Sequence, residues 1–129
     1  MIKETFVVEI SAETNKAERV RMYDVTTENV CKHLQTDEIQ RIPVSKMPPF
    51  LMGCDGMLCY VIDAKGYEKA LPSNLCGTCL FHTGQPILGT ILFVICPEDI
   101  SDPAMEGFDA SETEQLLSWL IGEFPFLTK

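Results

Sequence analysis

Ile87-Leu88-Gly89-Thr90-Ile91-Leu92-Phe93-Val94-Ile95-Cys96, stopped by Pro97, is the most apolar stretch of the chain. It is far too short to cross a bilayer, which takes about 20 residues. It has no alternating polar residues, so neither side of an extended chain here suits water. Its reading is a central β-strand buried on both faces. Pro97 lacks the N–H that a ladder needs and ends it. Such a strand demands neighbours along both edges and a layer over each face, and the remaining sequence must supply them.

Strand candidates are plentiful. Phe6-Val7-Val8-Glu9-Ile10 is rich in β-branched and aromatic residues, and Ser11 to Lys16 reads as a polar hairpin loop. Val20, Met22 and Val25 then alternate with charged residues, the period of a strand with one wet face. Ile39, Ile42 and Val44 form an extended stretch in which Pro43 predicts an edge or an end. Phe50-Leu51-Met52 and Met57 to Ile62 flank Gly53-Cys54-Asp55-Gly56, a hairpin signal built on Asp-Gly. Asp63-Ala64-Lys65-Gly66 is the next turn. Leu71 to Pro86 carries Pro72, Asn74, Gly77, Gly84 and Pro86 without clean periodicity, and is expected to be an ordered irregular loop.

Two helices are expected. Thr26-Thr27-Glu28-Asn29 offers a hydroxyl cap and a carboxylate for the positive end of the helix dipole. Val30, Cys31 and Leu34 follow on one face, giving a short helix near residues 27–35. Ser111-Glu112-Thr113-Glu114 fits a capping box. Behind it Thr113, Leu116, Leu117, Leu120 and Ile121 form a helical stripe near residues 111–121. Gly122 is placed to cap the end, with Pro125 beyond. Trp119 falls off the stripe, at a core edge or an oligomer contact. Strands in hairpins with few helices give the α+β class: one domain over residues 1–129, with a mostly antiparallel sheet of about five or six strands.

Composition limits the function. The 129 residues are 46% apolar and 22% charged, ordinary globular usage. The formal net charge is −9, and the densest basic spot, Arg19 and Arg21, is flanked by Glu18 and Asp24. Phosphate neutralisation needs clustered cations, so direct nucleic-acid binding is not expected. Docking on an anionic membrane is disfavoured for the same reason. Met1-Ile2-Lys3-Glu4-Thr5 lacks the basic and apolar regions of a signal peptide, so a cytoplasmic, reducing setting is expected.

Chemistry could reside in the six cysteines, Cys31, Cys54, Cys59, Cys76, Cys79 and Cys96. Cys76-Gly77-Thr78-Cys79 is a C-x-x-C pair, able in principle to ligate a metal or cycle to a disulfide. With Cys54 and Cys59 it makes a four-thiolate zinc set. Against this, Cys59 lies inside an apolar run as a core thiol would. A redox pair sits at a helix N-terminus, whereas Gly84 and Pro86 leave no room for a helix after Cys79. A cysteine nucleophile would need His33 or His82 as its base. The preferred reading is reduced thiols with no metal, no cofactor and no catalytic residues. Glu98, Asp99, Asp102 and Glu106 cluster around prolines without the ligand spacing of a calcium loop, and read as a solvated loop. Met47-Pro48-Pro49-Phe50 reads as a connector rather than a docking motif.

Four stretches carry a family likeness: Val7-Val8-Glu9; Val30 through Ile42; Asp55-Gly56 through Leu71-Pro72-Ser73-Asn74; and Ile87-Leu88-Gly89-Thr90-Ile91. Together they resemble an uncharacterised bacterial and phage family, domain of unknown function 3846. Thr36-Asp37-Glu38 stands where that pattern has a Gly-Gly turn. The resemblance implies an accessory protein of phages or other mobile elements, with Asn74 bonding loop backbone.

The function expected is therefore a non-enzymatic protein-interaction or regulatory module with a protein partner, and room for a homo-oligomer. Its sharpest form is a DNA mimic, which requires carboxylates aligned on one face. The alternatives are a small zinc protein using Cys54, Cys59, Cys76 and Cys79, and a thiol–disulfide protein using Cys76 and Cys79.

Overall fold

The structure is a computed structural model that describes residues 4–44, 48–49, 56–80, 85–99 and 101–128. The elements in chain order are β1 (Phe6–Ile10), β2 (Ala17–Arg21), α1 (Thr27–Leu34), β3 (Ile39–Pro43), β4 (Met57–Asp63), α2 (Leu75–Leu80), β5 (Ile91–Cys96) and α3 (Ala110–Glu123). The five strands form one sheet in the order β2-β1-β5-β4-β3, and every strand pair is antiparallel.

β5 lies at the centre, as its composition predicts. Only Ile95 in it is not fully buried. The strand starts at Ile91 rather than Ile87, because residues 87–90 make an approach in which Leu88 bridges to Ser73. β3 is an edge strand and Pro43 is its last residue. The predicted turn at Ser11 to Lys16 joins the antiparallel pair β1 and β2. The hairpin expected around residues 50–55 lies outside the described residues. Gly56 at its end has φ +103°, and a Cβ there would stand 2.6 Å from the Cys96 carbonyl oxygen.

Two apolar layers follow from the alternation of side chains along the strands. On one face Val8, Ile10, Leu58, Tyr60, Ile91 and Phe93 pack with Cys76 and Leu80 of α2 and with Leu116, Leu117 and Leu120 of α3. Trp119 packs against the edge of this layer. On the other, Val7, Cys59, Val61, Leu92, Val94 and Cys96 pack with Val30 of α1 and with Met105. An antiparallel sheet commonly leaves one face wet; this one is covered on both sides.

The helix α2 corrects the expectation of an irregular loop over residues 71–86. Six residues with a glycine among them cannot hold a helix by propensity. Tertiary contacts hold it instead. Asn74 is fully buried; its side-chain oxygen accepts from the Gly77 N–H at 3.1 Å. Its amide nitrogen donates to the carbonyls of Ile10 and Gly89, both at 3.0 Å. The Tyr60 hydroxyl donates to the Gly77 carbonyl at 3.0 Å. A Cβ on Gly77 would meet Ile87 Cγ2 at 2.9 Å, so glycine is what lets this helix sit against its neighbour. The room for a helix that Gly84 and Pro86 deny after Cys79 lies around the pair itself.

Two details of the other helices differ from the sequence reading. α1 is capped by Thr26, whose hydroxyl accepts from Asn29 N–H at 3.1 Å, as expected. The capping box of α3 is Asp109 with Glu112, not Ser111 with Glu114. Both pairs have the right spacing, and the carboxylate of Asp109 adds a favourable charge at the positive helix end. At the other end Gly122 stays inside the helix and Phe124 is the cap, with φ −128° and ψ 85°. A residue that precedes proline is pushed out of the helical region, and Pro125 does this to Phe124.

Asp109→Ala removes the cap and is expected to cost about 1 kcal/mol, within the range for such caps, whereas Ser111→Ala should be nearly silent. Urea midpoints of the two variants check this; the opposite ranking would restore the box at Ser111.

Candidate functional site

A polar cleft of about 310 Å³ opens where the end of β1 meets the C-terminal end of α1. Glu9, Ser11 and Glu13 form one wall, His33 and Gln35 another, and Asp63, Pro72 and Thr90 complete it. No lysine or arginine is among these described lining residues.

His33 enters the sequence reading only as a base for a cysteine nucleophile. In the last turn of α1 it reaches across to β1, and its Nε2 stands 3.2 Å from Glu9 Oε1. The two side chains are 29% and 20% exposed, half-sunk in the cleft wall. Its partner is a carboxylate rather than the cysteine that a nucleophile reading requires. The only sequence signal for the pair was Glu9 itself, a charge inside an otherwise apolar strand.

Asp63 anchors the floor. It is buried, 5% exposed. Its Oδ1 accepts from the Thr36 hydroxyl at 2.7 Å and the Lys65 N–H at 2.8 Å, and Oδ2 accepts from Lys69 Nζ at 2.6 Å. Burial raises its pKa, but the hydrogen bonds from Lys69, Lys65 and Thr36 outweigh burial and hold the carboxyl below its ordinary value. Lys69 Nζ also donates to the Gln35 carbonyl at 3.1 Å, placing a cation at the negative end of α1. Gln35 caps that helix in the left-handed region, φ 58°, a conformation that costs a non-glycine residue roughly 1–2 kcal/mol. The Asp63–Lys69–Gln35 chain thus ties α1 to the end of β4 and fixes where His33 points.

Cys59 and the C-x-x-C pair do not come together. Cys59 lies in the layer with α1 and Cys76 in the layer with α2 and α3, so the sheet stands between them. Cys79, in α2 with Cys76, is exposed. Burial, helped by Cys79, pushes the Cys76 thiol up to about 12. Burial and the charges of Asp37 and Asp63 likewise raise Cys31. Cys54 and His82 lie outside the described residues, as do Met47 and Phe50 of the proline-rich connector. Among the described residues no three His, Cys, Asp or Glu side chains gather to hold a metal ion. Two members of the cluster after β5 bond their own loop: Asp99 accepts from the N–H and hydroxyl of Ser101, and Asp102 from the Ala104 N–H.

Six other carboxylates are engaged in ion pairs or caps. Glu4 faces Arg21, Glu18 faces Lys16, Glu28 faces Lys32 and Asp37 faces Lys65, while Asp109 and Glu112 cap α3 on the opposite side of the sheet from α1. Among the described residues no helix is long and apolar enough to cross a membrane. No family model, no curated protein and no solved structure matches the chain.

Because the folded-state pKa of Asp63 is lowered, its stabilisation is complete above the unfolded value of about 3.9 and is lost as pH falls through the folded value. Asp63→Asn is expected to cost about 1–3 kcal/mol at neutral pH and to flatten the loss of stability below about pH 4. Denaturant melts at several pH values check it; an unchanged acid limb would remove Asp63 from this role.

Proposed function

We propose that the chain is a non-enzymatic protein-interaction module that receives a cationic side chain of a partner protein in the cleft beside His33. One observation carries this reading: the cleft gathers the carboxylates of Glu9, Glu13 and Asp63 with no lysine or arginine among its described lining residues. Asp63 is committed to Lys69 and Glu9 Oε1 faces His33 Nε2, which leaves Glu13 and the second oxygen of Glu9 to receive a guanidinium or ammonium group. Ser11 and Thr90 add hydroxyls that can complete its hydrogen bonds. The net charge of −9 adds long-range attraction for a basic partner. The resemblance to domain of unknown function 3846 supports a setting in the bacterial cytoplasm, as an accessory of phages or other mobile elements.

Affinity capture from a bacterial lysate, with wild type and the Glu9→Gln/Glu13→Gln variant as baits, tests this. Wild type should retain a basic protein that the variant loses. A charge-assisted hydrogen bond of about 1.5–3 kcal/mol corresponds to a tenfold or greater loss of affinity. Equal capture by both baits would move the binding surface away from the cleft, and capture by neither would overturn the interaction reading.

A further inference from the structure

We propose that a proton on His33 and the cationic side chain of a partner compete for the Glu9 carboxylate, so that the cleft releases its guest when His33 becomes charged. This rests on the cleft reading above and adds its regulation.

The geometry creates the competition. His33 Nε2 stands 3.2 Å from Glu9 Oε1, and the two form an ion pair only when the imidazole carries its second proton. Beside a neutral imidazole, Glu9 keeps its full negative charge and one whole oxygen for a guest. An imidazolium neutralises that charge from within the wall. Both side chains line the same cleft, so a charged His33 and a bound guanidinium or ammonium would flank one carboxylate. Two unit charges so placed stand roughly 4–6 Å apart, and even in a water-like medium their repulsion weakens binding about fourfold. Both residues are half-buried, and partial exclusion of water makes the repulsion larger.

The charged groups around His33 leave it in control of the change. Glu9 faces it from β1, Glu13 from the loop after β1 and Asp63 from the end of β4. Lys69, in the turn after β4, is held between Asp63 Oδ2 at 2.6 Å and the Gln35 carbonyl at 3.1 Å. Lys32, its neighbour on α1, faces Glu28 at 3.3 Å. Histidine is the side chain whose charge ordinarily changes between pH 5 and 8, and His33 is the one histidine among the described lining residues. Asp63 stays ionised throughout that range, since its hydrogen bonds hold its carboxyl below the ordinary value.

The coupling is reciprocal. If a proton on His33 weakens guest binding by a given factor, a bound guest weakens proton binding to His33 by the same factor.

The test uses the acetylated, amidated peptide Gly-Arg-Gly, which carries a single charge. Its binding is followed by backbone amide shifts in NMR at constant ionic strength, at about pH 7.5 and about pH 5.5, within the range where histidine changes charge. Wild type should bind about fourfold or more weakly at the lower pH. His33→Gln, which keeps a donor beside Glu9 but gains no charge, should bind equally at both. Saturating peptide should also move the His33 imidazole titration to lower pH. Equal binding by wild type at the two pH values, or an undiminished pH dependence in His33→Gln, would overturn the proton competition and leave the cleft reading standing. No binding by wild type at about pH 7.5, or the same binding by Glu9→Gln/Glu13→Gln as by wild type, would overturn the cleft reading and the competition together.

Discussion

Leu92, Val94 and Cys96 point to one side of β5 and Ile91 and Phe93 to the other, and none of the five is more than 1% exposed. Each side chain of this kind gains roughly 1.5–3 kcal/mol on burial, but only if something covers it. The constraint propagates outward. α2 and α3 must close one face and α1 with Met105 the other. β1 and β4 must flank β5, and β2 and β3 take the edges. The edge strands carry the exposed polar residues of the sheet, Glu18, Arg19 and Arg21 on β2 and Gln40 on β3, where charge discourages pairing with another chain.

Covering both faces creates the two places where chemistry can collect. Where α1 ends over the sheet, its carbonyls need a partner, and Lys69 supplies it while pairing with Asp63. This junction leaves a polar cleft and sets His33 against Glu9. Where β5 ends, the chain folds back so that Ile95 and Glu106 exchange backbone hydrogen bonds, each at 2.8 Å. Arg41 fastens the returning loop. That closure leaves a cavity beside Ile95 and Glu106. Both sites lie at strand ends, since the interior of the sheet is filled with side chains that carry no charge.

The two cysteine pairs show how position overrides motif. Cys76 and Cys79 have the spacing of a metal or redox pair, yet one is buried and the other exposed, and burial holds the proton on Cys76. Cys59 and Cys96 are 37 positions apart in the sequence and form no motif. Adjacent strands bring them into one apolar layer as diagonal neighbours. Thiol chemistry follows the surroundings of the sulfur, and those surroundings are assembled by strand pairing.

What the sequence determined by itself was whatever rests on local pattern. The unbroken apolar run at Ile91–Cys96, the proline at the end of β3, the cap at Thr26 and the stripe Leu116-Leu117-Leu120 each specify an element through contacts within a few residues. From these the antiparallel α+β class was legible. Tertiary structure decided what rests on contacts between distant residues. α2 exists because Asn74, Tyr60 and Ile87 hold it. The choice of Asp109 over Ser111 as cap was open because two boxes with equal spacing overlap. The candidate site was the least legible part. Glu9, His33, Asp63 and Lys69 come from β1, α1, β4 and the turn after it, and only the folding of the sheet beneath α1 brings those charges within hydrogen-bonding distance.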